Sequence, residues 1–438
     1  MVKIVLSLNV TDDGLYTFSG RSINITQDKN KLLKPHGKQV QNYGIILSLL
    51  PTKEQSENFN QQIGNARFVR NDYLLKRMEL YKKDKTTLSV SDYKKNFLSK
   101  LKEENPFLKL SDKFALEAAI EYVDIAYKNF FENLKKGKKT GFPKFASANK
   151  PNGNAYTTKY TNGNIVLLME NKLPYIKLPK VGKVRFILPI GKSISDILPF
   201  NTRITSATIK RYNNEYTISL QLESIVDIPV AIKEVKITDI ISMDMGIKEF
   251  GIYGNMEYTN TIDNPRFIKN HEKRIKRLQK SLSRKKKGSK NYEKAKRKLA
   301  KEHKKVKNQR KDFHHKESRK IVNNCNVFVC EDLNIKGMVK NHRLAKEISS
   351  VGWGQFLIFV KYKLERKGGI FIKVDKFFAS SKTCSKCGYK KEDLTLKDRS
   401  WICPKCNTIH DRDENAKNNL FNEGVILLTT EHNIKLVA

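Results

Sequence analysis

The sequence predicts a multidomain α/β protein, on three observations: its length, a residue periodicity that changes repeatedly along the chain, and two tight cysteine pairs near its end. At 438 residues the chain exceeds what one hydrophobic core usually supports, so two to four domains are expected. Hydrophobic residues make up 39% of it, enough for packed cores. The charge balance says more. Lys and Arg number 85 against 45 Asp and Glu, a formal net charge of +40. Such an excess repels itself in a compact state unless a polyanion neutralises it. Nucleic acid does so, because each phosphate contacted releases a counterion. A lysine-rich solvated surface is the plainer reading, and the clustering of the charge argues against it.

No run of about 18 apolar residues suggests a membrane span. The opening MVKIVLSLNV is too short an apolar stretch to read as a secretory signal. Four of the six cysteines fall in two close pairs rather than in a disulfide framework. The expected location is therefore reducing and cytoplasmic.

Residues 1–40 are polar, with a turn-prone TDDG, and end in the basic KLLKPHGKQ. Tyr43 to Leu50 (YGIILSLL) reads as a strand stopped by Pro51. From Thr52 to about Lys138 the spacing is helical, and Ala115, Ala118, Ala119, Tyr122, Ile125, Ala126, Phe130 and Leu134 share one face. Ser111 is the expected N-cap of that helix and Gly137 lies near its end. GFPKFASANKPNGN then breaks the pattern. Between about Asn154 and Val235 the period drops towards two, with turn dipeptides such as Asn213-Asn214, as in a small antiparallel barrel or sandwich. KITDIISMDMGIKEFGIYGN follows as two apolar strands joined by a glycine-containing turn. From Phe267 to about Lys320 the chain is most basic. Leu299, Val306 and Phe313 recur at heptad intervals, as do Ile275 and Leu282 beside Leu278. KKKGSKN interrupts them, so two long helices with a basic turn are expected. Arg284, Lys285, Lys286, Lys287 and Arg310 are the candidate phosphate contacts on this hairpin. Gln61, Asn65, Arg67 and Asn71 are weaker candidates for nucleic-acid contact, and Tyr292 and Trp353 read as packing residues rather than base-stacking ones.

Cys384 and Cys387 (CSKC) and Cys403 and Cys406 (CPKC) form two pairs with fifteen residues between them. Two such knuckles at that separation are the usual frame of a four-thiolate zinc site. With every position a thiolate, no place is left for water or substrate, so this zinc is structural. Cys325 and Cys330 lie in an apolar run and read as core residues.

Divalent-ion nucleases need carboxylates that converge on a pair of metals, and magnesium, a hard ion, takes oxygen ligands. An acid that ends a buried strand is the sequence cue, because an unpaired charge there is costly. Asp244 in DIISMDMGI and Glu331 after VFVC meet it. In DRDENAKNNL, Asp413 begins a segment of helical spacing, with Asp411 competing on position alone. Each acid also has a plain reading: a turn residue, a surface charge, and a helix N-cap. An RNase H-like fold would bring strand-end acids beside one on a late helix, which spacing alone does not establish.

The stretches SMDMGIKEFGIY, EKRIKRLQKSLSRKKKGSKN, VCEDLNIKGMVKNHRLAKEISSVGWGQF, FFASSKTCSKCGYKKEDLTLKDRSWICPKC and HDRDENAKNNL resemble TnpB, a family of transposon-encoded RNA-guided nucleases related to compact type V CRISPR effectors. The resemblance covers roughly residues 237–424, with weaker matches in LLPTKEQ, ARFVRNDYL and GFPKF. Residues 1–40 have no counterpart in it and read as an extension. The resemblance implies a RuvC nuclease core with an RNase H-like fold, an inserted zinc ribbon, an N-terminal wedge β-barrel and a helical recognition domain. Carried onto this chain, it implies a division into 1–55 (extension and first part of the wedge), 56–148 (recognition) and 149–236 (remainder of the wedge). The RuvC core is then 237–378, with the basic hairpin 268–320, followed by the ribbon at 379–407 and a last RuvC segment at 408–438. It assigns catalysis and two magnesium ions to Asp244, Glu331 and Asp413, leaving Asp332 a neighbour and Asp411 outside. It also implies a guide RNA derived from the transposon end and a double-stranded DNA target with an adjacent motif. Where the family is alanine-rich after the last acid, this chain has DENAKNN. Relatives that lose these acids act as guided repressors. Here all three positions keep one, which favours an active enzyme; a repressor or non-catalytic accessory protein is the alternative.

Overall fold

The chain is described by a computed structural model that covers residues 7–10, 16–19, 26–148, 150, 153–213, 215–342, 344–395 and 398–437. It divides into two compact units, 1–228 and 229–438.

In the first unit, the short strands β1 (Ser7–Val10) and β2 (Tyr16–Ser19) pair with one another, and helix α1 spans Thr26–Leu33. Strand β3 (Lys38–Leu50) ends at Pro51, which has no N–H to continue a ladder. Four helices follow: α2 (Lys53–Asp84), α3 (Val90–Asn96), α4 (Leu98–Glu104) and α5 (Lys113–Lys135). Then come β4 (Ala155–Lys159), β5 (Val166–Glu170), β6 (Leu173–Leu178), β7 (Gly182–Ile187), the one-turn α6 (Ile194–Ile197), β8 (Thr202–Tyr212) and β9 (Glu215–Asp227). β3 and β4 to β9 form a seven-stranded antiparallel sheet in the order β4-β8-β9-β3-β7-β6-β5. This is the β domain that the period-two stretch predicts. Tyr212 pairs with Glu215 across a two-residue loop; Asn213 takes the left-handed φ of 50°, and Asn214 lies outside the described residues.

Residues 26–40 are tied into this sheet: Lys38 to Val40 pair with β9 and α1 is bolted to it. Its fully buried Lys29 Nζ donates to both carboxylate oxygens of Glu223 at 2.8 and 2.7 Å, and Arg203 Nε donates to the same group at 2.7 Å. The N-cap of α5 is Asp112, not Ser111. Asp112 accepts from the N–H groups of Phe114 and Ala115, while Ser111 Oγ accepts from Asn65 Nδ2 at 2.7 Å. The buried face of α5 is also rotated from the expected stripe, onto Leu116, Ile120, Val123 and Tyr127 together with Ala115, Ala118 and Ala119. α5 packs on two sides, against α2 and β4, so a single amphipathic stripe does not describe it. Tyr122, Ile125 and Leu134 stay about half exposed.

The second unit contains β10 (Glu234–Lys236), β11 (Ile240–Asp244), β12 (Glu249–Gly254) and β13 (Thr259–Asp263), then the long helices α7 (Phe267–Ser283) and α8 (Lys290–Asn323). β14 (Val327–Glu331), α9 (Ile335–Met338), α10 (Ala345–Val351), α11 (Trp353–Arg366) and β15 (Ile370–Val374) follow. After a cysteine-bearing segment with β16 (Ser400–Ile402) and β17 (Ile409–Asp411), the chain ends in α12 (Arg412–Thr430) and β18 (Lys435–Val437), which pairs with β10. The central sheet has the order β13-β12-β11-β14-β15. β11, β12 and β13 form an antiparallel meander, whereas β14 and β15 run parallel to β11. This is the RNase H-like arrangement. Ile241, Phe328, Trp353 and Phe356 belong to one buried cluster, and Val327, Val329, Leu420 and Phe421 to another. Cys325 and Cys330 are buried as expected.

Candidate active site and metal centre

Strand pairing accounts for the first two acids. Met243 of β11 stands in parallel register with Cys330 of β14, so Asp244 and Glu331 end adjacent strands side by side. The residues before them are fully buried, and each acid is the first in its strand to regain solvent. Both carboxyls feel this position. Burial, then the negative charges of Asp413 and Glu331, pushes Asp244 up to about 7, against the pull of Arg412 and the Met245 N–H. Burial, then the charge of Asp332, raises Glu331. Asp332 itself points outward and pairs with Lys373 at 2.6 Å.

The third acid arrives on α12, which packs on β11, β12, β14 and β15. Its close approach to β14 depends on Gly424, where a Cβ would lie 2.4 Å from Val329 Cγ2. Geometry distinguishes the competing aspartates. Asp411 is the N-cap, accepting from the N–H groups of Asp413 and Glu414, both at 3.0 Å. Asp413 is left out of the cap, in the first turn, and its Oδ2 accepts from Arg399 Nη1 at 3.2 Å. The charge of Asp413 adds to the effect of burial in raising Asp244.

Several residues around this cluster escaped the sequence reading. Lys417 is 1% exposed, and its Nζ donates to the carbonyl of Asn255 at 2.6 Å and to Thr259 Oγ1 at 3.0 Å. Ser242, two residues before Asp244, donates to the Lys417 carbonyl at 2.8 Å. Asn415 and Asn419 are also buried. Lys417 and Asn419 fall in DENAKNN, the stretch that departs from the family's alanine-rich continuation, and that departure was the signal available in the sequence. Arg399 carried none.

The four cysteines form the other cluster. Among the described residues, Cys384, Cys387, Cys403 and Cys406 are the one group of potential ligand atoms lying within 4.8 Å of one another; the three carboxylates make no such closed group. Sγ atoms of the two knuckles approach to 3.6 Å (Cys384 and Cys406) and 3.5 Å (Cys387 and Cys403). A tetrahedral ion with Zn–S bonds of about 2.3 Å needs sulfurs about 3.8 Å apart, so the donor set and spacing fit one ion. The Thr408 hydroxyl, 3.2 Å from Cys406 Sγ, lowers that thiol's pKa. His410 Nε2 lies 3.0 Å from Cys384 Sγ.

On the basic hairpin, Arg284, Lys285, Lys286 and Lys287 are all exposed at the turn between α7 and α8. Arg310 differs. Its Nη1 donates to the carbonyls of Ser349 and Ser350 at 3.0 and 3.2 Å, closing the end of α10 rather than facing solvent freely. Among the weaker candidates in the first unit, Asn65, Arg67 and Asn71 bond to the backbone at Phe107, Gly153 and Ala146, which leaves Gln61 exposed. Trp353 is buried, as a packing residue should be. Among the described residues no helix is long and apolar enough to cross a membrane.

Comparison with known proteins agrees with this architecture. The OrfB_IS605 family, described as "Probable transposase", matches residues 223–342. A "Cas12f1-like, TNB domain" matches 353–420 and a "Helix-turn-helix domain" matches 47–86. A protein of Streptomyces pristinaespiralis named "Putative RNA-guided DNA endonuclease" is 28% identical over 387 residues, 86% of this chain and 87% of that protein. "Putative RNA-guided DNA endonuclease InsQ" of Escherichia coli (strain K12) is 26% identical over 340 residues, covering 74% of this chain and 78% of its own. The structure titled "Cryo-EM structure of the Cas12f1-sgRNA-target DNA complex" shares the fold, with a TM-score of 0.55 at 18% identity over 85% of this chain and 83% of that one. Sheet order, acid-bearing strands, cysteine knuckles and family matches converge in support of a TnpB-family protein.

Proposed function

We propose that the protein is an RNA-guided DNA endonuclease that cleaves a target beside a short adjacent motif. The observation that carries this reading is that Asp244 and Glu331 end neighbouring parallel strands while Asp413 lies in the first turn of the helix packed across them. Burial, then the charges of Asp413 and Glu331, raises Asp244, and a bound cation would neutralise those charges. An all-carboxylate donor set suits magnesium. The chemistry that two bound magnesium ions supply is activation of water and stabilisation of the leaving oxygen. The residues do the rest. Asp244 and Glu331 offer oxygens from strand ends that cannot drift, Asp413 closes the set from α12, and Arg399 holds Asp413 until a cation replaces it. The four cysteines hold a structural zinc. Arg284 to Lys287 offer their charges to the phosphates of guide RNA or heteroduplex, whose sequence base pairing reads. On this reading 1–55 and 149–236 make the wedge, 56–148 the recognition domain, 237–378 with 408–438 the nuclease core, and 379–407 the ribbon.

The test is Asp244→Ala in the guide-loaded protein with magnesium. Target cleavage should disappear while guide and target binding stay within about twofold, since removing a carboxylate that would hold magnesium removes transition-state stabilisation, not base pairing. Full cleavage by that variant would sink the assignment. A parent protein that binds guided target and never shortens it would instead be a repressor.

A further inference from the structure

The cysteine cluster and α12 are joined by more bonds than a tethered ribbon needs. Asn415 Nδ2 donates to the Thr383 carbonyl at 2.7 Å, and its Oδ1 accepts from Ser385 N–H at 3.0 Å. One turn on, Asn419 Nδ2 donates to the carbonyls of Ser380 and Thr383 at 2.7 and 2.6 Å. Thr383 and Ser385 flank Cys384, so two buried amides on α12 grip the first knuckle on both sides of a metal ligand. From the other side, His410 stands 3.0 Å from Cys384 Sγ, with its ring against Trp401 at 4.8 Å. His410 directly precedes Asp411, the cap that orients the Asp413 N–H. A third link runs from Arg399, whose carbonyl accepts from Arg412 N–H at 2.8 Å and whose side chain bonds Asp413.

We infer that Asn415, Asn419 and His410 are positioning residues that make metal occupancy of the four-cysteine site a condition for Asp413 to stand beside Asp244. With the metal bound, Cys384 is a thiolate that accepts the His410 Nε2–H, as partners of metal ligands do, and the knuckle is a rigid anchor. Without it, Thr383 and Ser385 lose their fixed geometry and the first turn of α12, capped by Asp411 alone, frays. The inference rests on the proposed nuclease reading for its consequence, though not for its mechanics.

The full chain, purified with zinc and guide RNA, allows two separate measurements. Hydrogen exchange at residues 411–416 reads the mechanics. Chelating zinc from the unmodified protein should speed exchange there about tenfold or more, and Asn415→Ala with Asn419→Ala should do the same while exchange in β3 and β9 is unchanged. His410→Ala should lose zinc to a chelating dye about ten- to a hundredfold faster. Unchanged exchange at 411–416 after zinc loss overturns the inference, and so does unaltered zinc release in the His410 variant. Manganese binding, followed by electron paramagnetic resonance, reads the consequence. The fraction of binding abolished by Asp244→Ala should weaken about tenfold or more in the asparagine double variant. If Asp244→Ala abolishes none of it, the nuclease reading fails, while the exchange result still decides the linkage.

Discussion

At the scale of single residues, two aspartates two positions apart have been given different work by geometry alone. Asp411 satisfies two N–H groups at the head of α12, and Asp413 satisfies none. Asp411→Ala should therefore cost about 1 kcal/mol of stability, as lost caps do, with cleavage reduced but measurable. Asp413→Ala should leave the denaturation midpoint nearly unchanged and abolish cleavage. Equal effects on both readouts from the two variants would contradict this division. Strand context marked Asp244 and Glu331 in the sequence, whereas the choice of Asp413 needed the family motif, because a cap and a ligand look alike until φ and ψ are known. His314 was not legible at all. It is fully buried, its Nε2–H donates to the Val351 carbonyl at 2.9 Å, and its Nδ1 has no partner. Burial pushes its pKa down to about 4, against about 6.5 in an unfolded chain. Between those values the unfolded state takes up a proton that the folded state refuses, so stability present above about pH 6.5 is lost as pH falls, by about 3 kcal/mol at about pH 4. Denaturant melts across that range should show a shallower loss in His314→Gln than in the parent. Identical slopes would show that the proton is accommodated.

At the scale of elements, legibility followed how many sides an element buries. The α7–α8 hairpin, buried on one side and solvated on the other, was readable from its heptads and its glycine-bearing turn. α5, buried against both α2 and β4, was not, since a helix with two contact faces has no single stripe. The same distinction shapes what the hairpin does. Ile275 and Val306 pack inward, and buried Glu302 ties the helices by accepting from His271 at 2.6 Å and Arg274 at 3.0 Å. The turn carrying Arg284 to Lys287 therefore contributes charge without contributing core. Changing Lys285, Lys286 and Lys287 to Glu should leave the melting temperature within about 2 °C while weakening RNA binding. The slope of log affinity against log salt should fall by about 1 for each phosphate that the variant no longer neutralises. An unaltered slope would place the phosphate-binding charges elsewhere, on the exposed bases of α7 such as Lys273, Lys276 and Arg277.

At the scale of the whole molecule, composition was the most legible property and topology the least. Periodicity located strands, but the parallel pairing of β11 with β14 brings together residues about 87 positions apart, from Ile240 to Val327. No local pattern encodes that pairing. Charge, by contrast, needs no topology. With 85 bases and 45 acids, pairing every acid would still leave 85 − 45 = 40 cations unneutralised, so the RNA-free protein folds against its own field. Raising ionic strength from about 0.01 to 0.1 M shortens the screening length from about 30 to 10 Å and should raise its melting temperature by a few degrees, about 1 kcal/mol of relief being worth about 2–4 °C in a unit of the size of either half. A polyanion such as heparin should raise it further at low salt, because it binds the folded patch preferentially. That added gain should shrink as salt rises, since salt competes for the same sites. The two melting curves, with and without polyanion, must therefore converge at high salt. A melting temperature that ignores salt would mean that the positive charges lie too far apart to repel, and a polyanion effect that persists in high salt would mean that interactions other than phosphate charge hold the nucleic acid.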